Sequence, residues 1–389
     1  MNEQTVQPPV SGGFEPEDLT PEERLARLPI REDLRGQHPY GAPQLDVPIM
    51  LNVNENTYGV PEDVQVAITE AVRTAAAGLN RYPDREFTEL REALAEYLGH
   101  GLAPEQLWAA NGSNEVLQQL LQAFGGPGRS ALGFPPTYSM YPLLAAGTGT
   151  AYLKGVRDEG YELTAESAAR QVRELAPNLV FLCSPNNPTG TALGLDVVEA
   201  VYEAGEASQA IVIVDEAYAE FAQLGTQSAL ALLPGRSRLV VSRTMSKAFA
   251  LAGARLGYLA AAPEVIDALR LVRLPYHLSA VTQATALAAL RHRASLMSEV
   301  EEIKHQRDRI VKELDRLGLT PATSDSNFVF FTGLRDPQRV WRGLLESGIL
   351  VRDVGIPGSL RVTAGTEAET SAFLTRLEEL LDEAPAQLG

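Results

Sequence analysis

The stretch Leu239-Val-Val-Ser-Arg-Thr-Met-Ser-Lys247 sets an apolar run directly before a polar turn that ends in a lysine. Its first residues have the length and the β-branched content of a strand that is buried on both faces. In an open parallel sheet, side chains at the carboxyl ends of strands face the crevice in which such sheets bind ligands. We therefore expect an α/β fold in which Lys247 faces a ligand, although a Ser-Lys pair taken alone is more typical of a solvated turn.

Strand-like and helical segments alternate on both sides of this stretch. Short apolar runs predict strands at residues 107–110, 130–133, 179–183, 211–214, 239–242 and 256–260. Helical periodicity covers residues 60–74, 87–98, 115–123 and 195–205. The strand candidates lack alternating polar residues, as strands covered on both faces do. This alternation predicts a mainly parallel sheet flanked by helices.

The last hundred residues have a different pattern. A charged helical stretch runs from residue 280 to Arg316, with Gly318 as its stop signal. It is followed by strands at 328–331, near Leu350 and at 360–362, and by helices at 337–345 and 367–381. We therefore predict a partly flexible N-terminal arm at 1–38, a large domain at 39–285 and a small α+β domain at 286–389, which part of the N-terminal segment joins.

Composition excludes several classes of function. The formal net charge of -17 argues against nucleic acid or an anionic membrane as the main partner. No apolar run approaches the roughly 20 residues of a membrane-spanning helix, and the N-terminal segment does not resemble a secretory signal. Cys183 is the single cysteine, so no intrachain disulfide forms, and the five scattered histidines suggest no metal site. We expect a cytoplasmic protein without a bound metal.

Two further segments carry polar residues at strand ends. Ile211-Val-Ile-Val-Asp215 places a carboxylate at a strand tip, and Tyr218 follows it. An unpaired buried carboxylate is costly, so Asp215 is suited to a cationic ring nitrogen, with helix capping as the alternative. The loop Cys183-Ser-Pro-Asn-Asn187-Pro-Thr-Gly is stiffened by its prolines. Asn187 and Tyr218 can hydrogen-bond an anionic phenolate oxygen, with an ordinary surface turn as the alternative.

A fourth segment, Asn111-Gly-Ser113-Asn114-Glu115, lies between a predicted strand and a predicted helix. Glycine permits close approach there, and the free amides of a helix N-terminus attract an anion. The segment lacks the lysine spacing of a P-loop and the full dinucleotide fingerprint, so it implies neither ATP nor NAD. It predicts a phosphate site, and a capped helix without a ligand is the alternative.

Together, in this order and spacing, the four segments resemble the class I and II aminotransferases of the fold-type I pyridoxal-phosphate enzymes. The resemblance covers nearly the whole chain after residue 38. Three segments are similar to the histidinol-phosphate aminotransferase subfamily in particular: Asn52-Val-Asn-Glu-Asn-Thr-Tyr58-Gly, Leu79-Asn-Arg-Tyr-Pro-Asp84 and residues 244–255. Thr57 stands where that subfamily usually has proline. The resemblance implies a large domain with a mainly parallel sheet and a smaller α+β domain.

By matching positions, the resemblance also implies roles for individual residues. Lys247 would hold pyridoxal 5′-phosphate as a Schiff base, and Asp215 would pair with the pyridine nitrogen. Asn187 and Tyr218 would contact the phenolate oxygen. The residues implied around the cofactor's ring and phosphate are Ser113, Asn114, Tyr138, Thr244, Ser246, Arg255 and, from a second subunit, Tyr58. A site shared in this way implies a homodimer.

The resemblance implies a substrate pocket as well. Arg361 matches the family's carboxylate-binding arginine, Arg352 is a second candidate, and Tyr40 matches a tyrosine on the substrate side. The implied reaction transfers an amino group from L-histidinol phosphate to 2-oxoglutarate, as one step of histidine biosynthesis. The donor amine would displace Lys247, whose freed amine would then move a proton.

Other functions remain open at this stage. An aromatic amino-acid aminotransferase or a threonine-phosphate decarboxylase of the same fold would have the same cofactor residues. A cofactor-sensing regulator would need an added DNA-binding domain, for which the acidic N-terminal arm is too short. We therefore expect an enzyme whose partners are a small amino donor, a keto acid and a second copy of the chain.

Overall fold

The computed structural model describes residues 20–36, residue 41 and residues 44–383. The chain divides into two units, Met1–Pro39 and Tyr40–Gly389. In the described part of the first unit, a short helix begins at a capping box formed by Thr20 and Glu23. The Arg35 guanidinium closes that segment by donating hydrogen bonds to the carbonyls of Ala26 and Leu28.

Twelve helices occur in the described residues. They are α1 (Pro21–Ala26), α2 (Glu62–Ala76), α3 (Thr88–Leu98), α4 (Ser113–Phe124), α5 (Met140–Thr148), α6 (Ala165–Leu175), α7 (Leu195–Ala204), α8 (Pro263–Val272), α9 (Ala280–Arg291), α10 (Arg293–Arg316), α11 (Pro337–Glu346) and α12 (Glu367–Asp382). None of these helices is both long and apolar enough to cross a membrane.

Twelve strands accompany the helices in the same ranges. They are β1 (Ile49–Met50), β2 (Leu107–Ala110), β3 (Ser130–Gly133), β4 (Ala151–Lys154), β5 (Leu179–Cys183), β6 (Ile211–Asp215), β7 (Leu239–Thr244), β8 (Gly257–Ala261), β9 (Thr320–Pro321), β10 (Phe328–Thr332), β11 (Ile349–Leu350) and β12 (Leu360–Thr363).

Seven strands of the second unit form one sheet, in the order β2-β8-β7-β6-β5-β3-β4. All neighbours are parallel except at β8, which runs antiparallel to both β2 and β7. Every residue of β5 and β6 is buried. Helix α7 packs against β6, and α4 packs against β2, β7 and β8. The predicted α/β architecture with a mainly parallel sheet is therefore present, with one reversed strand.

Two smaller sheets complete the second unit. The antiparallel sheet β12-β10-β9 packs against α10 through β9 and β10, and α10 packs against α12. The pair β1 and β11 is parallel, with Ile49 opposite Ile349, so residues near 50 lie beside strands near 350. The predicted division between residues 285 and 286 falls inside α9, and the proposed domain boundaries stay a prediction.

The prediction of one helical stretch from 280 to 316 is wrong. Two helices meet at His292, whose backbone N–H bonds to the carbonyls of both Ala288 and Ala289. At φ -106° and ψ 22°, His292 leaves the helical conformation and ends α9, and α10 begins at the next residue. Sequence periodicity misses this break because one residue outside the helical region barely changes the spacing of apolar positions.

Candidate active site

A cavity of about 690 Å³ lies at the carboxyl edge of the large sheet. Residues that follow β2, β3, β5, β6 and β7 line it, since parallel strands end on the same edge. Twelve of the fourteen predicted site residues line this cavity: Ser113, Asn114, Tyr138, Asn187, Asp215, Tyr218, Thr244, Ser246, Lys247, Arg255, Arg352 and Arg361. Tyr58 is not among the lining residues, and Tyr40 lies outside the described residues.

Lys247 follows β7 and turns its amine into the cavity. The amine donates a hydrogen bond to the Val53 carbonyl over 3.1 Å. Burial, assisted by the positive charge of Arg361, lowers the pKa of Lys247 to about 8, because removal from water disfavours the charged form. A substantial fraction of the amine is therefore neutral near pH 8 and available as a nucleophile.

Asp215 ends β6 and is almost fully buried. Its two carboxylate oxygens accept one hydrogen bond each, from the Tyr141 hydroxyl at 2.9 Å and from the Ser242 hydroxyl at 3.0 Å. Burial raises the pKa of Asp215 to about 6 against these two bonds. Tyr141 is itself held by stacking on Phe181, with 4.5 Å between ring centroids. Within the described part of the chain, the carboxylate thus has no cation among its hydrogen-bond partners.

Sequence reasoning did not identify either partner of Asp215. Ser242 could have been found, because it is a polar residue inside an apolar strand. It pairs with Asp215 in the parallel register of β6 and β7, so the two side chains lie on one face. Tyr141 lies on α5, a helix absent from the predicted elements, and no motif marks it.

The loop between β2 and α4 closes one end of the cavity. Gly112 has φ 88°, and a side chain there would meet the Arg255 guanidinium at 2.5 Å. A side chain at Gly257 would overlap the backbone of Ser113. These glycines bring the N-terminus of α4 against the start of β8 and beside Arg255. Free helix amides and a guanidinium at one place form a site for an anion.

Hydroxyl groups border the same end. The Thr244 hydroxyl lies 2.9 Å from the Ser246 hydroxyl and accepts a hydrogen bond from the Ser246 backbone N–H. Across the cavity, the Tyr138 hydroxyl donates to the side-chain oxygen of Asn114 over 3.1 Å. Tyr138 also packs edge-on against Tyr141. These contacts hold the Tyr138 ring at the cavity wall.

Two arginines of the cavity lining lie together. Arg352 and Arg361 pair as an antiparallel bridge with both backbone N–H···O distances at 2.9 Å. Directly opposite residues of such a pair extend to the same side, and both line the cavity. The Arg361 guanidinium donates to the Asn187 side-chain oxygen at 2.6 Å and to the Asn52 carbonyl at 2.7 Å. The cavity therefore has a second cationic region.

Asn52, Val53 and Asn54 belong to a subfamily motif, but the sequence predicted no role for them. These three residues bind Arg361, Lys247 and Tyr218 respectively. Both Asn52 and Asn54 are buried polar residues, which are rarely left without partners. Among the described residues, no group of His, Cys, Asp and Glu side chains is arranged to hold a metal ion.

The family model for class I and II aminotransferases matches residues 47–377. The chain belongs to this family. Histidinol-phosphate aminotransferase from Paenarthrobacter aurescens is 79% identical over 92% of the chain and 97% of its own length. The same-named enzyme from Frankia casuarinae is 57% identical over 91% of the chain and 90% of its own length. The chain is accordingly an enzyme of the aminotransferase family.

A solved structure supports the fold assignment. Histidinol-phosphate aminotransferase from Sinorhizobium meliloti, solved in complex with pyridoxal-5′-phosphate, superposes with a TM-score of 0.80 at 25% identity. The match covers 95% of this chain and 99% of that one. The resemblance to fold-type I aminotransferases and the predicted fold class are confirmed.

The ligand-free enzyme should lose stability relative to its Asp215→Asn variant as pH rises from about 4 to about 6. A carboxyl group with a raised pKa binds its proton more tightly when folded, so its contribution is complete below the unfolded pKa and lost through the folded pKa. The difference should be on the order of 2 kcal/mol and constant above pH 7. Urea unfolding at pH 4 to 8 measures it, and a pH-independent difference would contradict the burial argument.

Proposed function

We propose that the enzyme transfers the amino group of L-histidinol phosphate to 2-oxoglutarate, giving imidazole acetol phosphate and glutamate, with pyridoxal 5′-phosphate as cofactor. The observation that carries this proposal is that one cavity contains both a buried amine and a buried carboxylate. The pKa values of Lys247 and Asp215 are both displaced toward neutral forms. Aminotransfer needs one group to bind an aldehyde and another to bind a ring nitrogen.

The residues around the cavity fit this cofactor. The Asp215 carboxylate would pair with the protonated pyridine nitrogen. This positive charge would compensate the desolvation of the carboxylate. The phosphate would lie where the glycines bring Ser113 beside Arg255, with Thr244 and Ser246 nearby. When bound, the cofactor supplies an electron-withdrawing ring and the carbon that receives the amino group.

Lys247 would serve in two ways. Its neutral amine would attach the cofactor covalently, and the amine of an incoming substrate would displace it. Once free, the Lys247 amine would take a proton from the substrate carbon that bears nitrogen and return it to the carbon on the other side of that nitrogen. With a pKa of about 8, the amine can both accept and donate a proton near neutral pH.

The two arginines support an anionic substrate. Arg361 and Arg352 give the cavity a local positive region in a chain whose formal net charge is -17. A guanidinium binds carboxylate or phosphate through paired N–H groups, so one pocket can accept glutamate and a phosphate ester in turn. The 79% identical relative is named for histidinol phosphate, which favours this substrate over phenylpyruvate.

The position of Tyr58 supports a homodimer. This tyrosine is half-buried and lies outside the cavity lining of its own chain. A large apolar side chain is exposed beside the cavity: Leu274, 76% exposed, lines a second cavity that shares Asn114 with the first. A second copy covering Leu274 would bring its own residues next to Asn114. We propose that Tyr58 enters the partner's site there.

Replacement of the lysine tests the cofactor proposal. Lys247→Ala should still bind pyridoxal phosphate through the remaining contacts. It should retain none of it covalently after borohydride reduction, and transamination should fall by about 10³-fold or more, since both attachment and proton transfer are lost. Mass spectrometry and steady-state assays measure the two effects. Lys304→Ala on α10 is the matched control, and a largely active Lys247→Ala enzyme would refute the assignment.

Single-turnover assays test the substrate. The aminated enzyme should react with imidazole acetol phosphate and 2-oxoglutarate faster than with phenylpyruvate. Arg352→Gln should lower kcat/KM for imidazole acetol phosphate by about 10- to 100-fold, because a hydrogen bond between charged groups is lost, with a smaller change for phenylpyruvate. The exposed Arg342→Gln is the control. Preference for phenylpyruvate would favour an aromatic aminotransferase, and CO₂ release from threonine phosphate would favour a decarboxylase.

Mixing two inactive variants tests the shared site. Tyr58→Ala chains should be impaired, and co-expression with Lys247→Ala chains should restore about a quarter of wild-type activity. With random pairing about half of the dimers are mixed, and each mixed dimer has one intact site of its two. Co-expression of Asp215→Ala with Lys247→Ala is the matched control, since both residues line the cavity of one chain and no intact site can form. Activity equal in the two mixtures would exclude the exchange of Tyr58 between subunits.

A further inference from the structure

Asn54 is a buried polar residue in an uncommon backbone conformation. It is 2% exposed and has φ 58°, in the left-handed region that asparagine tolerates better than most residues. Its side-chain amide donates a hydrogen bond to the Tyr218 hydroxyl oxygen over 2.9 Å. The Asn187 amide approaches the same oxygen at 3.4 Å. Two N–H donors thus converge on one hydroxyl.

The orientation of the Asn187 amide is set by Arg361. A guanidinium has donors only, so the 2.6 Å contact from Arg361 identifies the atom of Asn187 that it meets as the oxygen. The NH₂ group of Asn187 must then face Tyr218.

The orientation of the Asn54 amide is set by Thr363. The Asn54 backbone N–H donates to the Thr363 hydroxyl at 3.1 Å, so that hydroxyl keeps its own hydrogen for another acceptor. The side-chain oxygen of Asn54 receives it at 3.2 Å. The NH₂ group of Asn54 therefore also faces Tyr218.

These contacts determine the direction of the Tyr218 hydroxyl. Its oxygen has two lone pairs, and both are directed at amide hydrogens. Its own hydrogen is left for an acceptor inside the cavity, which Tyr218 lines. Burial raises the pKa of Tyr218 to about 12, although Arg361 and Asn54 oppose the rise. At neutral pH the side chain keeps its hydrogen and is a donor.

We propose that Asn54, oriented by Thr363, is a positioning residue that forces the Tyr218 hydroxyl to donate into the cavity. The site is thereby built to receive an anionic oxygen next to Tyr218 and to reject a donor at that position. If the proposed function holds, on which this step rests, the anionic oxygen is the phenolate of pyridoxal phosphate. Asn54 then adjusts the acidity of the bound cofactor without touching it.

Loss of the Tyr218 hydrogen bond should change the pKa of the bound cofactor in one direction only. A hydrogen bond donated to the phenolate oxygen withdraws negative charge from it and weakens its hold on the neighbouring titrating proton of the bound cofactor. Loss of this donor should raise the pKa of the cofactor's visible absorption change by about one unit. Tyr218→Phe defines the full shift.

Asn54→Asp reverses the hydrogen bond while keeping the shape of the side chain. The carboxylate accepts where the amide donated, so Tyr218 should turn its hydrogen toward residue 54 and away from the cavity. The cofactor pKa should rise by about one unit in the wild-type background and by less than half of that in a Tyr218→Phe background. An equal rise in both backgrounds would show a simple effect of negative charge and would overturn the proposal.

Thr363 provides a test that adds no charge. Thr363→Val should release the Asn54 amide and shift the cofactor pKa in the same direction, whereas Thr363→Ser should retain the wild-type value because it keeps the hydroxyl. Thermal unfolding confirms that each variant is folded. A Val variant that is folded and titrates like wild type would overturn the proposal.

The same titrations distinguish failure of the proposed function from failure of the role proposed for Asn54. A wild-type enzyme that forms no visible band with added pyridoxal phosphate would refute the proposed function itself. A wild-type band that shifts in Tyr218→Phe but not in Asn54→Asp or Thr363→Val would leave the proposed function intact and refute only the role of Asn54.

Discussion

The parallel register of β5, β6 and β7 is the constraint on which the candidate site depends. Cys183 lies opposite Asp215, and Asp215 lies opposite Ser242. Because side chains alternate between the two faces of a strand, a slip of one residue would turn Asp215 away from the cavity and from Ser242. The loops that present Asn187 and Lys247 begin at the ends of the same strands. Strand spacing therefore contributes to their separation.

This arrangement buries charged groups, which costs free energy. Where no ligand would neutralise a buried charge, the fold supplies an ion pair. Behind Asp215, the Arg243 guanidinium contacts Glu216 at 2.8 Å and Glu220 at 3.3 Å, and these two carboxylates hold its pKa above the usual range. This ion-pair cluster needs no ligand. Asp215 and Lys247 differ: among the described residues, the Asp215 carboxylate accepts hydrogen bonds only from neutral hydroxyls, and the Lys247 amine donates only to a carbonyl. Groups left in this state are typical of functional sites.

The segment that contains Asn52, Val53 and Asn54 links β12 to the loops that follow β6 and β7. Its three residues bind Arg361 of β12, Lys247 after β7 and Tyr218 after β6. A substrate anion at Arg361 and a cofactor at Lys247 would thus meet residues anchored to one short stretch of backbone. Family membership and the cavity support aminotransfer, and the choice of substrate depends on which anions Arg352 and Arg361 bind.

Much of the molecule followed from local sequence. All six strands predicted for the large sheet begin within the predicted stretches, because apolar runs buried on both faces have a clear pattern. The motif residues at strand ends meet at one edge for the same reason. Sequence did not reveal the antiparallel direction of β8, the break at His292 or the contacts of Tyr141 and Asn54 with Asp215 and Tyr218. These features depend on which distant segments pack together, and hydrogen-bond partners separated by 74 and 164 residues leave no local periodicity.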